Sequence, residues 1–197
     1  MNRVKPIFIL LICTVIYTTQ CFAQEERRPQ YPGGSKAFTA FIKKNLKYPE
    51  VAKLVGLSGK VNITFVIDQN GKIGSVTPIS CLGAGCESEA ARVISLSKDW
   101  IPGTLYGRPV RVQYTVPISF GFTADGSGTK IKLKDLRNSD YGFAFYIKGK
   151  AYSIDEAEQL MGKNFNSADV ITAEPFDDPK FSMPGKKVVY LIMMKDN

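Results

Sequence analysis

The stretch GKVNITFVIDQNGKIGSVTPI, residues 59–79, predicts the central element of the fold. Its first half alternates apolar with polar side chains, which is the period-two pattern of a strand with one buried face. The apolar set is Val61, Ile63, Phe65 and Ile67. The alternation stops at DQNG, residues 68–71, where an aspartate can accept hydrogen bonds from the following backbone and a glycine can take a positive φ. We therefore predict a β-hairpin whose second strand runs over residues 72–79.

Composition places the chain among ordinary folded proteins. Its 197 residues are 44% hydrophobic, which is enough to bury a core. The formal net charge is +8, but no basic helix, aromatic-basic motif or zinc-finger spacing accompanies it, so we predict no nucleic-acid partner. The chain contains no histidine, which excludes Ser-His and Cys-His catalytic pairs and removes the commonest metal ligand. We predict no enzymatic activity, no small-molecule substrate, no cofactor and no metal site.

Residues 1–23 have the pattern of a secretory signal peptide: a basic start, an apolar run over residues 7–17 and a small residue before the cleavage site. We predict cleavage between Ala23 and Gln24, and hence export to the periplasm. Two alternatives stay open, an uncleaved inner-membrane anchor and a lipid anchor at Cys21. The apolar run of eleven residues argues against the membrane anchor, because a spanning helix needs roughly 20.

Two cysteines, Cys81 and Cys86, follow the leader. In an exported chain they form a candidate disulfide, since the glycines between them allow the spacer to fold back. The alternative is that Cys86 packs as a small apolar residue, because it falls at helical spacing with Ala90 and Ile94. The sequence leaves both interpretations open.

The residues around the hairpin predict two helices and one further strand. Ser35 is a candidate N-cap for an amphipathic helix over 35–47, and acidic residues begin a second helix over 87–97. Residues 108–120 alternate apolar and polar side chains without a fault, and Pro117 cannot donate a hydrogen bond to a neighbouring strand, so this strand is expected at a sheet edge. The predicted fold class is α+β, with a small antiparallel three-stranded sheet packed with two helices.

A second unit is predicted after a linker. Residues 123–130 are typical of a linker in composition, and residues 131–197 predict a small α+β module of βαββ type. Within it, Ser153 begins a helix with a capping box, and the apolar strand over 187–195 is expected in the centre of a sheet. The other two strands of the module are predicted over 141–147 and 168–172. The chain thus divides into 1–23, 29–122, 123–130 and 131–197.

Short motifs occur in a consistent order over residues 29–120. They are PQYPGG at 29–34, YP at 48–49, GKV at 59–61, DQNG at 68–71, EA at 89–90, W at 100 with PG at 102–103, GRPV at 107–110 and PI at 117–118. Together they resemble the C-terminal domain of TonB, in the form common in Bacteroidetes-type bacteria, and this resemblance implies a TonB C-terminal-like fold. Through fewer residues, 141–195 resemble a segment of the plug domain of TonB-dependent receptors.

Resemblance to TonB implies a protein partner. In that family a short segment of an outer-membrane transporter, the TonB box, adds as a strand to the edge of the domain's sheet. The predicted strand over 108–120 has the alternation and the edge position that strand addition requires. The candidate partner-binding residues are Arg108, Val110, Arg111, Val112, Gln113, Tyr114, Thr115 and Val116. A homodimer is also left open.

The sequence departs from a complete TonB energy transducer in three respects: the apolar leader is short, histidine is absent, and no long proline-rich spacer precedes the domain. The seven residues 24–30 extend at most about 25 Å, too short to cross a periplasm. We therefore expect a periplasmic TonB-like protein-binding module linked to outer-membrane transport. The alternative is a short membrane-anchored TonB-type energy transducer for TonB-dependent outer-membrane transporters.

Overall fold

The computed structural model describes residues 26–121 and 128–195. The predicted signal peptide, its cleavage site between Ala23 and Gln24, and most of the predicted linker lie outside the described residues. The elements of the first described range are α1 (Gly34–Asn45), α2 (Glu50–Leu54), β1 (Gly59–Ile67), β2 (Ile73–Pro78), α3 (Cys86–Leu96), β3 (Gly103–Leu105), β4 (Arg108–Val110) and β5 (Val112–Phe120).

The predicted hairpin is confirmed, with β1 and β2 pairing antiparallel. The Asp68 carboxylate closes the turn, since its Oδ1 accepts hydrogen bonds from the backbone N–H groups of Asn70 at 2.8 Å and Lys72 at 2.9 Å. Gly71 has a φ of +77°, a conformation that glycine adopts without the clash a Cβ would introduce. The local chemistry of DQNG therefore sets the point at which the chain reverses.

Strand β1 is the central strand of an antiparallel three-stranded sheet with the order β2-β1-β5. All four apolar side chains that the alternation assigned to one face have no solvent exposure. They are Val61, Ile63, Phe65 and Ile67. The predicted fold class, a small three-stranded antiparallel sheet packed with helices, is confirmed, because the period-two pattern correctly separates the buried face from the exposed one.

Both predicted helices are present, but their start points differ from the prediction. Helix α1 has Gly33 as its N-cap, with a φ of +79°, and Ser35 already lies in the first turn, where its carbonyl accepts a hydrogen bond from the Thr39 hydroxyl at 2.9 Å. The predicted N-cap at Ser35 is therefore wrong, since the turn before the helix brings the chain into helical geometry two residues earlier. Helix α3 buries Ala90 and Ile94 against the sheet.

The predicted strand over 108–120 is interrupted at Arg111. Its first part, β4, pairs antiparallel with β3 in a two-stranded ribbon, whereas β5 pairs with β1. Tyr106 and Gly107 both have positive φ values, 51° and 73°, which is the geometry of a tight two-residue hairpin turn. Apolar and polar side chains continue to alternate through Arg111, and so the sequence pattern alone predicts one strand over residues 108–120.

The second described range contains β6 (Lys130–Lys132), α4 (Leu133–Arg137), β7 (Gly142–Ile147), β8 (Lys150–Ser153), α5 (Ile154–Met161), β9 (Asn164–Asn166), β10 (Val170–Pro175) and β11 (Val189–Met194). Its larger sheet has the order β10-β11-β7-β8, with β11 parallel to β7 and the other pairs antiparallel. Strand β11 is central, as predicted. The capping box of α5 is also present, with the Ser153 hydroxyl accepting from the Glu156 N–H and the Glu156 carboxylate accepting from the Ser153 N–H.

Several elements of this second range were not predicted from the sequence. They are β6, α4, β8 and β9. The strand predicted over 168–172 is displaced, because a 3₁₀ turn, Ser167–Asp169, precedes β10. Strands of three or four residues carry too little alternation to be recognised. The pairing of β6 with β9 also joins residues that are distant in sequence, whereas β8 pairs with β7 across a two-residue turn.

The loop between β2 and α3 contacts the edge strand β10 of the second sheet. The Ala84 N–H donates to the Ala173 carbonyl at 2.6 Å, and the Thr172 hydroxyl donates to the Leu82 carbonyl at 2.8 Å. A Cβ on Gly83 would lie 2.4 Å from the Thr172 hydroxyl oxygen. The buried apolar residues of both ranges also belong to one continuous cluster. The division of the chain into two domains at residues 123–130 stays a prediction, which concerns whether the two parts fold independently.

Candidate partner-binding edge

Strand β5 lies at the edge of the three-stranded sheet, and its backbone groups alternate between β1 and the open side. The Asn62 carbonyl accepts a hydrogen bond from the Ile79 N–H at 2.9 Å, so the polar backbone groups of Asn62 face the β2 side. Successive residues of a strand direct these groups to opposite sides. Those of Ile63 therefore face β5, where its partner is Val116.

The same alternation decides which β5 residues face away from β1. Val112, Tyr114, Val116 and Ile118 pair with the buried set of β1. The residues between them present their backbone groups to the open edge, and their side chains are exposed. These residues are Gln113, Thr115, Pro117 and Ser119. Pro117, which has no N–H, thus occupies a position where the β1–β5 ladder loses no hydrogen bond.

No described residue forms a backbone hydrogen bond with this open edge. Three N–H groups, those of Gln113, Thr115 and Ser119, and the carbonyls of the outward-facing residues remain available for pairing. Unpaired groups in a row are a template for a further strand. The Thr115 side chain is anchored on the exposed face, with its Oγ1 3.0 Å from Thr64 Oγ1.

The structure brings some of the predicted partner-binding residues together and separates others. Those on the open-edge strand are Val112, Gln113, Tyr114, Thr115 and Val116. Arg108 and Val110 lie on β4, whose pairing with β3 occupies one side of that strand, and Arg111 joins β4 to β5. The free edge is therefore shorter than the predicted one at its N-terminal end, and it extends beyond the prediction to Ser119.

The segment before α1 pairs with the β3 side of the β3–β4 ribbon through two isolated antiparallel bridges. The N–H and carbonyl of Arg27 pair with those of Thr104, both at 2.9 Å, and Gln30 pairs in the same way with Ile101 at 2.8 and 3.0 Å. This ribbon stands at the beginning of β5. Arg108 and Arg111 are exposed on it, and the ion pairs found among the described residues do not include either of them.

An aromatic cavity lies beside the open edge and was not predicted from the sequence. Its volume is about 210 Å³. The walls include Tyr31, Phe38 and Trp100, together with Tyr114 and Val116 of β5. The Trp100 ring centroid lies 5.5 Å from that of Tyr31, 5.2 Å from Phe38 and 5.9 Å from Tyr114. The signal was present in the motifs PQYPGG and WIPG, but only folding shows that their aromatic rings face the same space.

The two cysteines of the predicted disulfide are free thiols in the structure, with Cys81 exposed and Cys86 buried. Cys86 packs among apolar residues at the start of α3, as the alternative interpretation expected. Burial, with a smaller contribution from the Glu87 carboxylate, raises the pKa of the Cys86 thiol to about 12. The pKa of Cys81 is raised by partial burial and by its contact with the Glu174 carboxylate, where Sγ and Oε1 are 3.4 Å apart.

Metal-binding clusters and membrane-spanning helices are both absent from residues 26–121 and 128–195. No group of three or more cysteine, aspartate or glutamate side chains among them is placed to hold a metal ion. In the same residues, every helix is too short or too polar to span a membrane.

Comparison with known proteins shows a similarity in the first part of the chain. Residues 44–122 match the family model described as Gram-negative bacterial TonB protein C-terminal. The NMR solution structure of the Helicobacter pylori TonB C-terminal domain is 21% identical and covers 48% of this chain and 89% of its own, with a TM-score of 0.36. No curated protein matches the chain. Domains of this family are protein-interaction modules that contact outer-membrane transporters. Residues 44–122, from the end of α1 through β5, are therefore similar to the C-terminal domain of TonB.

Proposed function

We propose that this chain is a periplasmic TonB-like module that binds an envelope protein by strand addition at the open edge of β5. The observation that carries the proposal is the backbone arrangement of that edge. Gln113, Thr115 and Ser119 direct their N–H groups away from β1, and the part of the chain that the structure describes supplies no acceptors for them. An extended segment would satisfy these groups and extend the sheet.

The partner that fits best is the TonB-box segment of an outer-membrane transporter, because transporters are the general partners of this domain family. Pro117 leaves a gap among the donors of the edge, so an added strand would take its N–H donors chiefly from Gln113 and Thr115. Each hydrogen bond contributes only about 1 kcal/mol net. Affinity and selectivity therefore depend on the side chains next to the ladder as well as on the ladder itself.

The test alters the backbone of the edge without altering its core-facing side. Thr115→Pro removes one outward N–H and places a ring where an incoming strand would lie, as Pro117 already does two residues further on. Thr115→Val keeps the N–H and the β-branched shape, and it is the matched control. The ligands are synthetic peptides covering the periplasmic N-terminal segments of the organism's outer-membrane transporters, and affinity is measured by calorimetry.

We expect Thr115→Pro to weaken peptide binding by about tenfold or more, which is about 1.4 kcal/mol, while Thr115→Val binds as the parent does. Both variants must first show a cooperative thermal transition. A folded Thr115→Pro variant with parental affinity would overturn strand addition at β5.

The proposal places the chain in the periplasm after removal of the leader. A membrane-anchored energy transducer with an uncleaved leader is the competing function. Sequencing the N-terminus of the mature protein separates them. A chain that begins at Gln24 supports the periplasmic module, and an intact Met1 in the inner-membrane fraction would support the transducer instead.

A further inference from the structure

A second cavity lies at one end of the sheet β10-β11-β7-β8. Strand β11 runs parallel to β7, and so their last residues, Met194 and Ile147, lie at the same end of the sheet. The last turn of α5 and the short strand β9 enclose the space in front of them. We call this space the α5 cavity. Its apolar wall consists of Ile147, Tyr152, Leu160, Met161, Phe165 and Met194.

The sheet side of the α5 cavity continues the buried face of the second unit. Tyr152 and Ile192 both pair with Phe145, so the three side chains share one face. Ile147 and Met194 lie two residues further along the same strands and therefore face the same way. Phe145 and Ile192 have no solvent exposure, whereas Ile147 and Tyr152 are only half-buried. The apolar face thus extends beyond the part that the core covers.

The opposite wall is adaptable and partly open. Phe165 of β9 packs against Phe145, with ring centroids 5.6 Å apart, and it is itself buried. Met161 of α5 is half-buried, and Leu160 beside it is 58% exposed. Methionine side chains such as Met161 and Met194 are unbranched and adjust to the shape of what they contact. Leu160 therefore stands at the mouth of a flexible apolar space.

The size of the α5 cavity fits a small molecule. Its volume is about 510 Å³, within the roughly 300–1,000 Å³ typical of ligand pockets. A peptide added as a strand fits less well, because the neighbouring strand β8 has four residues. The N–H of its last residue, Ser153, already donates to the Glu156 carboxylate. An added strand would find little backbone to pair with.

The charged groups of the α5 cavity favour an anion. Lys148, in the turn after β7, and Lys195, which follows β11, both belong to its lining. The Lys195 ammonium donates a hydrogen bond to the Ala168 carbonyl at 2.5 Å, which holds its charge beside the cavity. Asp169 is the one carboxylate of the lining, and the Asn164 amide adds a further donor. Two ammonium groups against one carboxylate attract a negatively charged ligand group.

We infer that the α5 cavity binds a single-chain anionic amphiphile, with its apolar chain between the sheet and α5 and its anionic head beside Lys148 and Lys195. Free fatty acids and lysophospholipids share this chemistry, since each has one acyl chain and a carboxylate or phosphate head. The lining contains no residue of β5. This site and the strand addition proposed above can therefore fail separately.

The probe is decanoate, titrated at pH 8 into the full chain below the concentration at which it forms micelles, with affinity measured by calorimetry. We expect one saturable site. Octanoate should bind about tenfold more weakly, because it buries two fewer CH₂ groups. Decyltrimethylammonium has a ten-carbon chain and the opposite charge, and it should bind at least about tenfold more weakly. No binding of decanoate up to about 1 mM, or equal affinity for the anion and the cation, would overturn the inference.

Decyl phosphate separates the two sources of the ligand. Tighter binding of decyl phosphate than of decanoate would support the inference with a lysophospholipid-type head, and the reverse order would support it with a free fatty acid. Binding of neither compound would refute it.

A charge placed at the mouth tests the location. Leu160→Asp adds a carboxylate to the lining, whereas Gln159→Asp adds the same charge to the same helix at a residue outside it. Both side chains are exposed, so neither change removes buried contacts. We expect Leu160→Asp to weaken decanoate binding about tenfold or more and Gln159→Asp to leave it nearly unchanged. Equal losses would show that decanoate binds elsewhere.

A second pair of variants tests the role of the lysines. Lys195→Gln removes one ammonium from the lining, and Lys163→Gln removes one from an exposed position outside it. We expect Lys195→Gln to weaken decanoate binding severalfold and to narrow the difference between decanoate and decyltrimethylammonium. Lys163→Gln should change neither quantity. Identical effects of the two substitutions would mean that net charge, and not the α5 cavity, attracts the anion.

Discussion

Gly71 has no side chain for two reasons, one in its own turn and one in its contact with a residue distant in sequence. Its positive φ closes the β1–β2 turn after Asp68. A Cβ built on Gly71 would also lie 1.9 Å from the Trp100 carbonyl oxygen, a contact from a residue 29 positions later in the chain. Because the obstructing atom belongs to the backbone, no change of side-chain rotamer can relieve the clash.

Gly71→Ala should therefore be strongly destabilising, by about 3 kcal/mol or more, since backbone strain adds to a steric displacement. Gly107→Ala is the matched control, because Gly107 also has a positive φ, +73°, but no atom lies within 4 Å of its added Cβ. We expect that variant to lose about 1 kcal/mol. Urea unfolding followed by Trp100 fluorescence measures both, and equal losses would show that the Trp100 contact does not matter.

The two cysteines should differ in reactivity because their surroundings differ. In the folded protein at pH 8, we expect iodoacetamide to leave Cys86 unmodified, since burial raises its pKa to about 12, and to modify the exposed Cys81 slowly. After denaturation without reductant, we expect two labels by mass spectrometry on a chain that begins at Gln24, which retains Cys81 and Cys86 of the four cysteines. Denatured protein that accepts labels only after reduction would instead establish the Cys81–Cys86 disulfide.

At the scale of elements, an ion pair within α3, between Glu89 and Arg92, also makes hydrogen bonds to the C-terminal end of α1. The Glu89 carboxylate accepts two hydrogen bonds from Arg92 at 2.7 Å and one from the Lys47 N–H at 2.5 Å. Arg92 also donates to the Asn45 carbonyl at 2.8 Å, which is the last residue of α1. The Glu89 carboxylate thus accepts hydrogen bonds both from the backbone just after α1 and from a side chain in the middle of α3.

These contacts predict a dependence of stability on pH. The hydrogen bonds from Arg92, followed by that from Lys47, hold the pKa of Glu89 below its ordinary value of 4.5. The unfolded chain therefore takes up the proton first, and the contribution of Glu89 is present above pH 4.5 and is lost as pH falls through the lowered folded-state pKa. Glu89→Gln should reduce the loss of stability between about pH 5 and about pH 3. Parallel pH profiles of variant and parent, from urea unfolding, would contradict this role.

At the scale of the whole molecule, the contact between the Leu82–Gly83–Ala84 loop and β10 makes the two sheets depend on each other. The loop forms a parallel bridge between Gly83 and Ala173, through the Ala84 N–H to Ala173 carbonyl hydrogen bond, and accepts one further hydrogen bond from the Thr172 hydroxyl. In addition, the Tyr141 hydroxyl donates to the Glu50 carboxylate at 3.1 Å. With a continuous buried cluster beneath these contacts, we expect both described ranges to unfold in one cooperative transition.

Gly83→Ala tests this dependence, because the new Cβ would meet both the Thr172 hydroxyl oxygen and the Ala173 carbonyl oxygen, at 2.4 and 2.5 Å. We expect a lower melting temperature and faster amide hydrogen exchange in β10 and β11. Gly149→Ala, at a positive φ with open space around it, controls for backbone strain alone. If the parent chain itself shows two separate transitions, the halves are independent and the boundary predicted at 123–130 marks two folding domains.

The sequence by itself determined the elements with strong local patterns. The alternation in β1 and β5, the DQNG turn and the capping box at Ser153 each depend on residues that are neighbours in the chain. The hairpin, the α+β class and the similarity to the TonB C-terminal domain could therefore be predicted. Local patterns are informative here because a strand with one buried face must alternate, whatever it pairs with.

Only the tertiary structure decided which edge is open and what lies beside it. The break at Arg111, although local, is hidden by an alternation that continues through it. The pairing of β5 with β1 and the docking of the 82–84 loop on β10 join residues that are distant in sequence. The same is true of the aromatic cavity, whose walls come from the segment before α1, from α1, from the Trp100 loop and from β5. Alternation shows which face of a strand is buried, but long-range packing determines which strands it pairs with. In this fold β5 pairs only with β1 among the described strands, and its other edge is therefore free.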